Sequence, residues 1–508
     1  MSKLVLPKAT TEVRETATPV AGEIFYDQDK QAVFFGDGAT MGGISLKAGS
    51  MSTAYVYGID HDTSVATAAT ACKRVVLNHD HDQMGDVLRY TQVTEFAQMP
   101  AHNFKRCVMS DLANRVVAYY LNASDSTKKE NGQTAILTGA DGDVMVEIPV
   151  CHFRLDTYTD ASNHVHNVYL VSNRAFNGSA IHRYFYTSPG GATARVQYVG
   201  AFCNVVCDAN GTAIAQEADN TPVVFASGRR LRSIAGVRPV GNMSVGNSRT
   251  GAKNNNASLV NAMFYQYLML MMAIDAGSLD TQNISIGYSQ ISAFKYSALR
   301  VTGRTSCFGN KTGEILADEV AGTGKDLDLL TMADSGGTIW KSSVEKKVVK
   351  FSYRGIEDPF GPQVCFVEAI QKYQNATEGD FSQSGYWCTN DTNQYEQFSN
   401  NLGYGALGSI FPTVGYTGSS LVWVSHPFPK VEGYIKKFDP ITFLPLDLNG
   451  ASTTYLPDYC MGNKLNAESL VVYGGGSAER GDRVGAAGLY LTLSKGSMFA
   501  YCTSRCAA

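Results

Sequence analysis

Two short histidine patterns have the residue types of a metal site. The segment HDHD at 79–82 spaces two imidazoles two residues apart, which on a strand would put both rings on one face. His164 and His166 repeat that spacing. A third ligand is not identifiable for either pair, and so short a polar motif is more often a solvated loop. We therefore expect no metal and no cofactor.

Two pairs of carboxylates have the residue types of a glycan hydrolase. A glycosidase needs two carboxyl groups roughly 5–10 Å apart, and Glu357/Asp358 or Asp439/Asp447 are candidates. Acidic residues in glycine-rich loops more commonly cap turns. A depolymerase that cleaves surface glycan is therefore kept as the alternative function. The segment GTGKD at 322–326 lacks the spacing of a phosphate-binding loop.

The cysteines form an odd set of 11 without tight repeats. Small disulfide scaffolds concentrate their cysteines far more densely, so we expect buried free thiols made in a reducing cytoplasm. Cys203 and Cys207 could bridge within a hairpin, but they lack zinc-finger spacing and a second ligand pair.

The bulk composition favours a turn-rich β protein. A chain of 508 residues predicts two or three domains. Charged residues make up 17%, below the usual value of about 25%, while Gly (49) and Tyr (27) are abundant. A net charge of -4 argues against binding of duplex nucleic acid, which requires a basic face. The first 15 residues lack the apolar core of a secretion signal, so we expect release by lysis or within a particle.

Strand patterns dominate the first half of the chain. Residues 19–38, PVAGEIFYDQDKQAVFFGDG, alternate extended runs with polar turns and predict a hairpin. Between 51 and 225, strand-like runs are mostly separated by Gly, Asn or Asp clusters, which favours an antiparallel sandwich or prism. The clearest of these runs are KRVVLN, RVVAYYLN, DVMVEIPVCHFRL, HNVYLVS, ARVQYVGAFCNVV and PVVFAS.

One helix is predicted, over Ser258–Ile274, with Asn256 or Ser258 as its cap and Gly277 just past its end. Its polar residues and the missing basic flanks favour burial in a core over a membrane span. After residue 340 the chain is loop-dominated with interspersed aromatic residues. The predicted class is α+β, with a β-rich N-terminal half and a C-terminal domain of one or two helices, short strands and long loops.

Three stretches resemble phage tail-fibre proteins of the major tropism determinant type. Residues 19–38 are similar to a motif that opens many such proteins. The run DGDVMVEIPVCHFRL, the predicted helix and RGIEDPFGPQV at 354–364 are similar to their central part. The order FDPITFLPLDLNGASTTYLPDYC, VVYGGGSAERGDRVGAAGLYLTLS and YCTSRCAA at 438–508 resembles the end of C-type-lectin-fold variable proteins.

That resemblance implies a homotrimer with the N-terminal unit on the virion and a lectin-like domain at the distal end. Some members are diversified by retroelements that rewrite adenines in Asn codons. Here Ala478 follows the GGS turn where an aromatic residue or Asn is usual, and Thr503 replaces a usual Gly. Glu479, Lys495 and Met498 cannot arise from an Asn codon by changes at adenines alone.

We expect the receptor contacts on an exposed loop after Gly474–Gly476 and on the strands that follow. Leu489, Leu491 and Leu493 alternate with polar residues and are predicted to pack inward. Tyr, Arg and Asp presented from a rigid frame give contact area at low entropic cost. The predicted contact residues are Ala478, Glu479, Arg480, Asp482, Arg483, Val484, Tyr490, Thr492, Phe499, Ala500, Tyr501 and Cys502.

A second enzymatic alternative is an oxidase of the formylglycine-generating type, which ends in a similar strand. Arg505-Cys506-Ala507 fits that ending, but Cys502 is the only nearby second thiol for copper. We therefore predict a non-enzymatic receptor-binding protein of the distal tail fibre. Its predicted partners are a bacterial surface receptor, protein or glycan, and other tail proteins, with no nucleic acid and no membrane insertion. The predicted domains are 1–50, 51–225 and 226–508, the last C-type-lectin-like.

Overall fold

The computed structural model describes two compact units of the chain, Met1–Tyr55 and Val56–Ala508. Domain boundaries after residues 50 and 225 stay predictions. The described residues are 8–10, 12, 16, 23–27, 32–35, 44–46, 55–186, 193–214, 225–285, 301–317, 326–331, 348–361, 364–372, 385–387, 432–441, 443–461, 470–474, 485–494 and 502–508.

The first unit contains a four-stranded sheet in the order β1-β2-β3-β4. Its strands are β1 (Lys8–Ala9), β2 (Ile24–Asp27), β3 (Ala32–Phe35) and β4 (Ile44–Leu46). β2 and β3 pair antiparallel from Ile24↔Phe35 to Asp27↔Ala32, so the predicted hairpin is confirmed.

The second unit consists mainly of short strands with two α-helices among its described residues. Its first strands are β5 (Tyr57–Asp62), β6 (Cys72–Leu77), β7 (Tyr90–Gln92), β8 (Lys105–Asp111), β9 (Val116–Tyr120), β10 (Asp143–Pro149), β11 (His152–Thr159), β12 (Val165–Ser172), β13 (Ala180–Ile181), β14 (Val196–Gly200), β15 (Val205–Cys207) and β16 (Arg230–Arg232). Next come α1 (Val245–Asn254), β17 (Ser258–Leu259) and α2 (Ala262–Ala276). The remaining strands are β18 (Gly313–Ala317), β19 (Asp326–Thr331), β20 (Val348–Tyr353), β21 (Ile356–Glu357), β22 (Val364–Lys372), β23 (Gly385–Trp387), β24 (Gly433–Ile435), β25 (Lys437–Phe438), β26 (Pro445–Asp447), β27 (Leu456–Met461), β28 (Leu470–Gly474), β29 (Leu489–Ser494), β30 (Cys502–Thr503) and β31 (Cys506–Ala507).

Three large sheets organise this unit. The first has the order β17-β31-β14-β10-β8-β9 and the second β13-β11-β12-β5-β6-β7. The third, which we call the C-terminal sheet, has the order β23-β22-β28-β29-β27-β24, with β30 parallel to β22. The predicted β-rich α+β class is confirmed.

Most of the predicted strands of the first half exist, and two of them are divided. The run ARVQYVGAFCNVV forms β14 and β15, and the run DVMVEIPVCHFRL forms β10 and β11; in each pair the two strands belong to different sheets. In the second run, the break falls at Val150 and Cys151, directly after Pro149, which ends β10. Because proline has no N–H to donate to a ladder, it is a natural end for a strand inside a sheet.

The long helix starts later than the sequence predicts. Ser258 and Leu259 form a strand that pairs with β31, so they are not helical. The helix begins after Asn261, whose side chain accepts a hydrogen bond from the N–H of Phe264, and Gly277 ends it in the left-handed conformation. The choice of Asn256 or Ser258 as the cap was therefore wrong, and the end at Gly277 is confirmed.

Helix α2 is buried along its whole length, from Ala262 to Ala276. It packs against β5 of the second sheet and β22 of the C-terminal sheet. An α-helix that is apolar on all sides belongs in a core, as the sequence predicts. In the described part of the chain, no helix is both long enough and apolar enough to cross a membrane.

Helix α1 lies in a glycine- and asparagine-rich segment where the sequence predicts no helix. Ser244 caps its first turn by accepting from the N–H of Asn247. At Gly251 a Cβ atom would lie 2.8 Å from Leu231 and 2.9 Å from Phe225. The glycine that weakens the local helix signal is therefore the residue that lets this helix pack closely on β16.

The cysteines with described side chains are free thiols, and both members of the Cys203/Cys207 pair are among them. Burial raises the pKa of the Cys207 thiol to about 11, an effect that outweighs the nearby charge of Arg232. Buried thiols of this kind behave as small apolar side chains.

A buried polar network joins α2 to the loop before β8. His102 Nε2 lies 3.0 Å from the carbonyl oxygen of Met271, and its Nδ1 lies 2.7 Å from the hydroxyl of Tyr57. A carbonyl can only accept, so Nε2 carries a proton. Burial lowers the pKa of His102 to about 4 and so favours the neutral imidazole, in which Nδ1 accepts from the tyrosine hydroxyl.

The neutral His102 predicts acid sensitivity. Its folded-state pKa lies below the ordinary value of 6.5, so the unfolded chain binds more protons between pH 6.5 and 4. Acidification through that window should lower the free energy of unfolding by about 3 kcal/mol from this residue. Chemical denaturation at pH 7 and pH 4.5 measures the loss, and His102→Gln should show a smaller one. Parallel pH profiles for the two proteins would contradict the assignment.

Candidate functional site

The predicted contact residues lie mostly outside the described part of the chain. This holds for residues 478–484 and 499–501. Tyr490 and Thr492 lie on β29 and Cys502 on β30, with backbone positions described and side chains not. The structure describes the strands and the turn on either side of the predicted contact segment.

The segment 475–484, which we call the contact loop, connects two neighbouring strands of the C-terminal sheet. β28 ends at Gly474 and β29 begins at Leu489, and these two residues are directly paired. The antiparallel pairing continues through Tyr473↔Tyr490 and Val471↔Leu493. Both ends of the contact loop are thus fixed by the strand register.

The turn between the contact loop and β29, Gly485–Gly488, is held by two side chains from distant parts of the sequence. The N–H of Ala487 donates to Asp458 Oδ2 at 2.7 Å. The N–H of Ala486 donates to Thr281 Oγ1 at 3.1 Å. Within the turn, the N–H of Gly488 donates to the carbonyl oxygen of Gly485 at 3.1 Å.

Gly485 leaves the space that the Asp458 carboxyl group occupies. A Cβ atom at position 485 would lie 1.9 Å from Asp458 Oδ1, a separation that no side chain tolerates. Asp458 is fully buried, and this burial raises its pKa to about 8 despite the hydrogen bond from Ala487. The sequence signal for this pairing is the glycine of GDRVGAAG, but nothing local in the sequence identifies its partner.

Helix α2 forms the support behind the same turn. Tyr265, Gln266 and Met269 line a void of about 20 Å³ together with Ala487 and Leu489. Leu489 is buried, as the alternating pattern predicts, while the side chains of 491 and 493 lie outside the described set. The turn that follows the contact loop therefore lies on a packed core.

The segment HDHD at 79–82 is a turn rather than a strand. Residues His79–His81 form a short 3-10 helix capped by Asn78. His81 Nδ1 lies 2.8 Å from Asp86 Oδ2, and Asp82 binds Arg89 and Arg154. Among the described side chains, no group of three or more His, Cys, Asp or Glu is placed to hold a metal ion.

The second histidine pair lies against carboxylates on the second sheet. His164 Nδ1 lies 3.1 Å from Asp62, and His166 Nδ1 lies 2.9 Å from Asp60. The ring of His166 stacks on Tyr158 at 4.6 Å between centroids. Both histidine rings thus contact other side chains of the second sheet.

The two candidate carboxylate pairs make structural contacts. Glu357 accepts from the N–H groups of Gly303 and Thr305, and Lys350 Nζ lies 3.5 Å away. Asp358 lies 2.5 Å from the same Lys350 Nζ, and burial raises its pKa to about 6. Neither side chain is exposed.

The second pair consists of turn residues. Asp439 accepts from the N–H of Ile441 at 3.0 Å, and Asp447 accepts from the N–H of Asn449 at 3.2 Å. Both follow the pattern of a side chain that bonds the backbone two residues later.

Cys506 and its neighbour Arg505 are packed inside the unit. The Cys506 thiol points at the carbonyl oxygen of Leu231 at 3.7 Å, and burial raises its pKa above the ordinary range. Arg505 donates to the carbonyl oxygens of Gly200 at 2.6 Å and Glu357 at 2.5 Å. Both side chains are therefore buried structural groups that connect β31 and the residue before it to other parts of the core.

The chain is similar to several solved structures. It matches "Major Tropism Determinant P3c Variant" at 13% identity with a TM-score of 0.25, "Major Tropism Determinant I1 Variant" at 13% with 0.25, and "Major Tropism Determinant U1 Variant" at 12% with 0.24. Each match covers 99% of this chain and 99% of the other. No protein-family model and no curated protein matches. The matched structures bear the name of the protein type that the sequence motifs resemble, but at these identities and TM-scores they carry no argument about fold, ligand, assembly or activity.

Proposed function

We propose that the chain is the receptor-binding subunit of a phage or prophage tail fibre, which adsorbs the virion to a bacterial host through its C-terminal surface. The observation that carries the proposal is the frame of the contact loop. A segment rich in charged residues joins β28 and β29 while strand pairing at Gly474↔Leu489 and the hydrogen bond to Asp458 fix its ends. A rigid frame lets varied side chains bind without a large ordering cost.

The finer parts of the proposal concern assembly and variation. The subunit assembles as a homotrimer, its N-terminal unit binds other tail proteins, and its C-terminal lectin-like domain lies at the distal end of the fibre. Three copies multiply weak contacts through avidity. The contact residues other than Glu479 are diversified by a retroelement, which predicts a near-copy of the coding sequence for 471–508 beside a reverse-transcriptase gene.

The protein binds its receptor without catalysing a reaction on it. The contacts of Glu357 and Asp358 with Lys350 and backbone N–H groups support this proposal over the depolymerase alternative. Incubation of purified protein with host capsule should release no oligosaccharide, and for the oxidase alternative no peptide oxidation should occur. Release of oligosaccharide would instead identify the protein as a depolymerase, and oxidation of a peptide would identify it as an oxidase.

Replacement of residues 478–484 by a Gly/Ser segment of equal length tests the binding role directly. We expect adsorption to host cells to fall by roughly 10²–10⁴-fold, since each lost contact is multiplied by avidity. Circular dichroism and thermal unfolding should stay near wild type, because the frame residues are unchanged. The matched control replaces the exposed turn at 130–133 in the same way and should adsorb normally. Equal adsorption by all three proteins would refute the proposed contact surface.

A further inference from the structure

One buried carboxyl group holds the turn that follows the contact loop. We propose that Asp458 is a positioning residue for the turn Gly485–Gly488 and that its protonation controls how firmly this turn is held. The inference deepens the receptor-binding function proposed above, and depends on it only for the effect on host adsorption.

The geometry places Asp458 directly beneath the turn. β27, which carries it, pairs in parallel with β29 through Cys460↔Leu489. Its Oδ2 accepts the N–H of Ala487, and its Oδ1 fills the space where a side chain at position 485 would stand. One carboxyl group therefore fixes both the start of β29 and the turn before it.

The surroundings of this carboxyl group favour the neutral acid. Asp458 is fully buried, and its Oδ1 has no hydrogen-bond partner among the described residues. The charged group that acts on it is Asp280, which repels a second negative charge, while the Thr281 hydroxyl and the Ala487 N–H favour ionisation. No cation is among the groups that affect it in the described part of the chain.

The consequence for pH follows from linkage. In the closed state, in which the turn Gly485–Gly488 packs over Asp458, burial raises the pKa of this carboxyl group from 3.8 to about 8. In an open state, in which the turn has moved away and water reaches Asp458, the pKa would return toward its ordinary value. The closed state then holds a proton that the open state lacks between pH 4 and 8. Its stabilisation is fully present below pH 4 and is lost as the pH rises through 8.

Hydrogen exchange at the Ala487 amide measures how firmly the turn is held, and it needs no receptor. In the wild-type chain, the protection of the Ala487 amide, corrected for its intrinsic exchange rate, should fall by about tenfold per pH unit between pH 5 and 8. It should then level off. The amides of β3, in the separate unit Met1–Tyr55, provide an internal control that should show no such slope, because their exchange does not require exposure of Asp458. A flat profile at Ala487 overturns the proposal without any need for a variant.

Asp458→Asn separates positioning from general stability. The amide preserves the shape and the acceptor for Ala487 but cannot ionise. In this variant the protection of the Ala487 amide should therefore not change with pH between 5 and 8. Asp447→Asn removes a carboxyl group from an exposed turn of the same unit and should keep the wild-type slope. If the protection of Ala487 fell with pH as steeply in the Asp458 variant as in the wild type, another group would be responsible and the proposal would be wrong.

Host adsorption at pH 5.5 and 8.5 links the turn to binding. We expect the wild type to adsorb less well at pH 8.5, by roughly tenfold or more given avidity, and Asp458→Asn to adsorb equally at both values. Adsorption by neither protein, with the exchange slope intact, would refute the receptor-binding function alone. Adsorption independent of pH, with a flat exchange profile, would refute the role of Asp458 alone.

Discussion

Asp275→Asn is expected to lower the free energy of unfolding of the Val56–Ala508 unit by about 3–5 kcal/mol. The carboxylate of Asp275 is fully buried near the end of α2. It accepts from Arg354 Nε at 2.7 Å and Nη2 at 3.0 Å, and from the hydroxyl of Tyr353 at 2.9 Å. The amide would leave the guanidinium, whose side chain is 13% exposed, without a counter-charge, which is the costly way to break a largely buried ion pair.

A double-mutant cycle separates the ion pair from the general effect of a core change. Asp275→Asn and Arg354→Met should each be strongly destabilising, because each leaves one buried charge alone. The double variant removes both charges and should be less destabilised than the sum by about 2 kcal/mol or more. Asp111→Asn is the matched control, since that partly exposed aspartate caps a turn by accepting from the N–H of Asn114. Additive single effects would argue against the pair.

Arg505→Ala should cost about 3–4 kcal/mol in the free energy of unfolding. The guanidinium donates to three buried carbonyl oxygens, at 2.6 Å for Gly200, 2.5 Å for Glu357 and 3.2 Å for Asp358. Truncation of the Arg505 side chain removes the hydrogen bonds to these three carbonyl oxygens. It also opens a cavity, because Arg505 is only 1% exposed. Denaturant unfolding followed by tryptophan fluorescence or circular dichroism measures the loss.

Two further variants define the origin of that loss. Arg505→Lys keeps the charge but has a point-like ammonium, so it should recover only part of the stability. Arg115→Ala removes an exposed arginine of the same unit and should change the free energy by less than about 0.5 kcal/mol. If the lysine variant were as stable as the wild type, the three-way hydrogen bonding would not be the source.

Regular elements were predictable where a period is strong and local. The runs KRVVLN and HNVYLVS lie within β6 and β12 and their immediate flanks, because alternation decides a half-buried strand. The body of α2 was predictable from its unbroken apolar run. Its start was not, because Ser258 and Leu259 are held as a strand by residues 506–507, a partner that no local pattern reveals.

The candidate site was predictable only in outline. The GGS turn and the alternating leucines indicate a loop followed by an inward-facing strand, and β28, β29 and the buried Leu489 agree with that. Asp458 and Thr281 were missed because each holds the turn across a large sequence separation. Glu357 and Asp358 were weighed as catalytic acids because a sequence cannot show that Lys350 lies beside them.

The position of β31 also bears on how the molecule is made on a ribosome. The short strand at 506–507 fits between β14 and β17, and Asn204 hydrogen-bonds to Ser504, 300 positions away. During synthesis the β14 edge must therefore wait for late residues, and an unpaired strand edge is a template for wrong pairing. Contacts at such separation slow folding, so a nascent chain exposes the edge of β14 until β31 has been made and has paired with it.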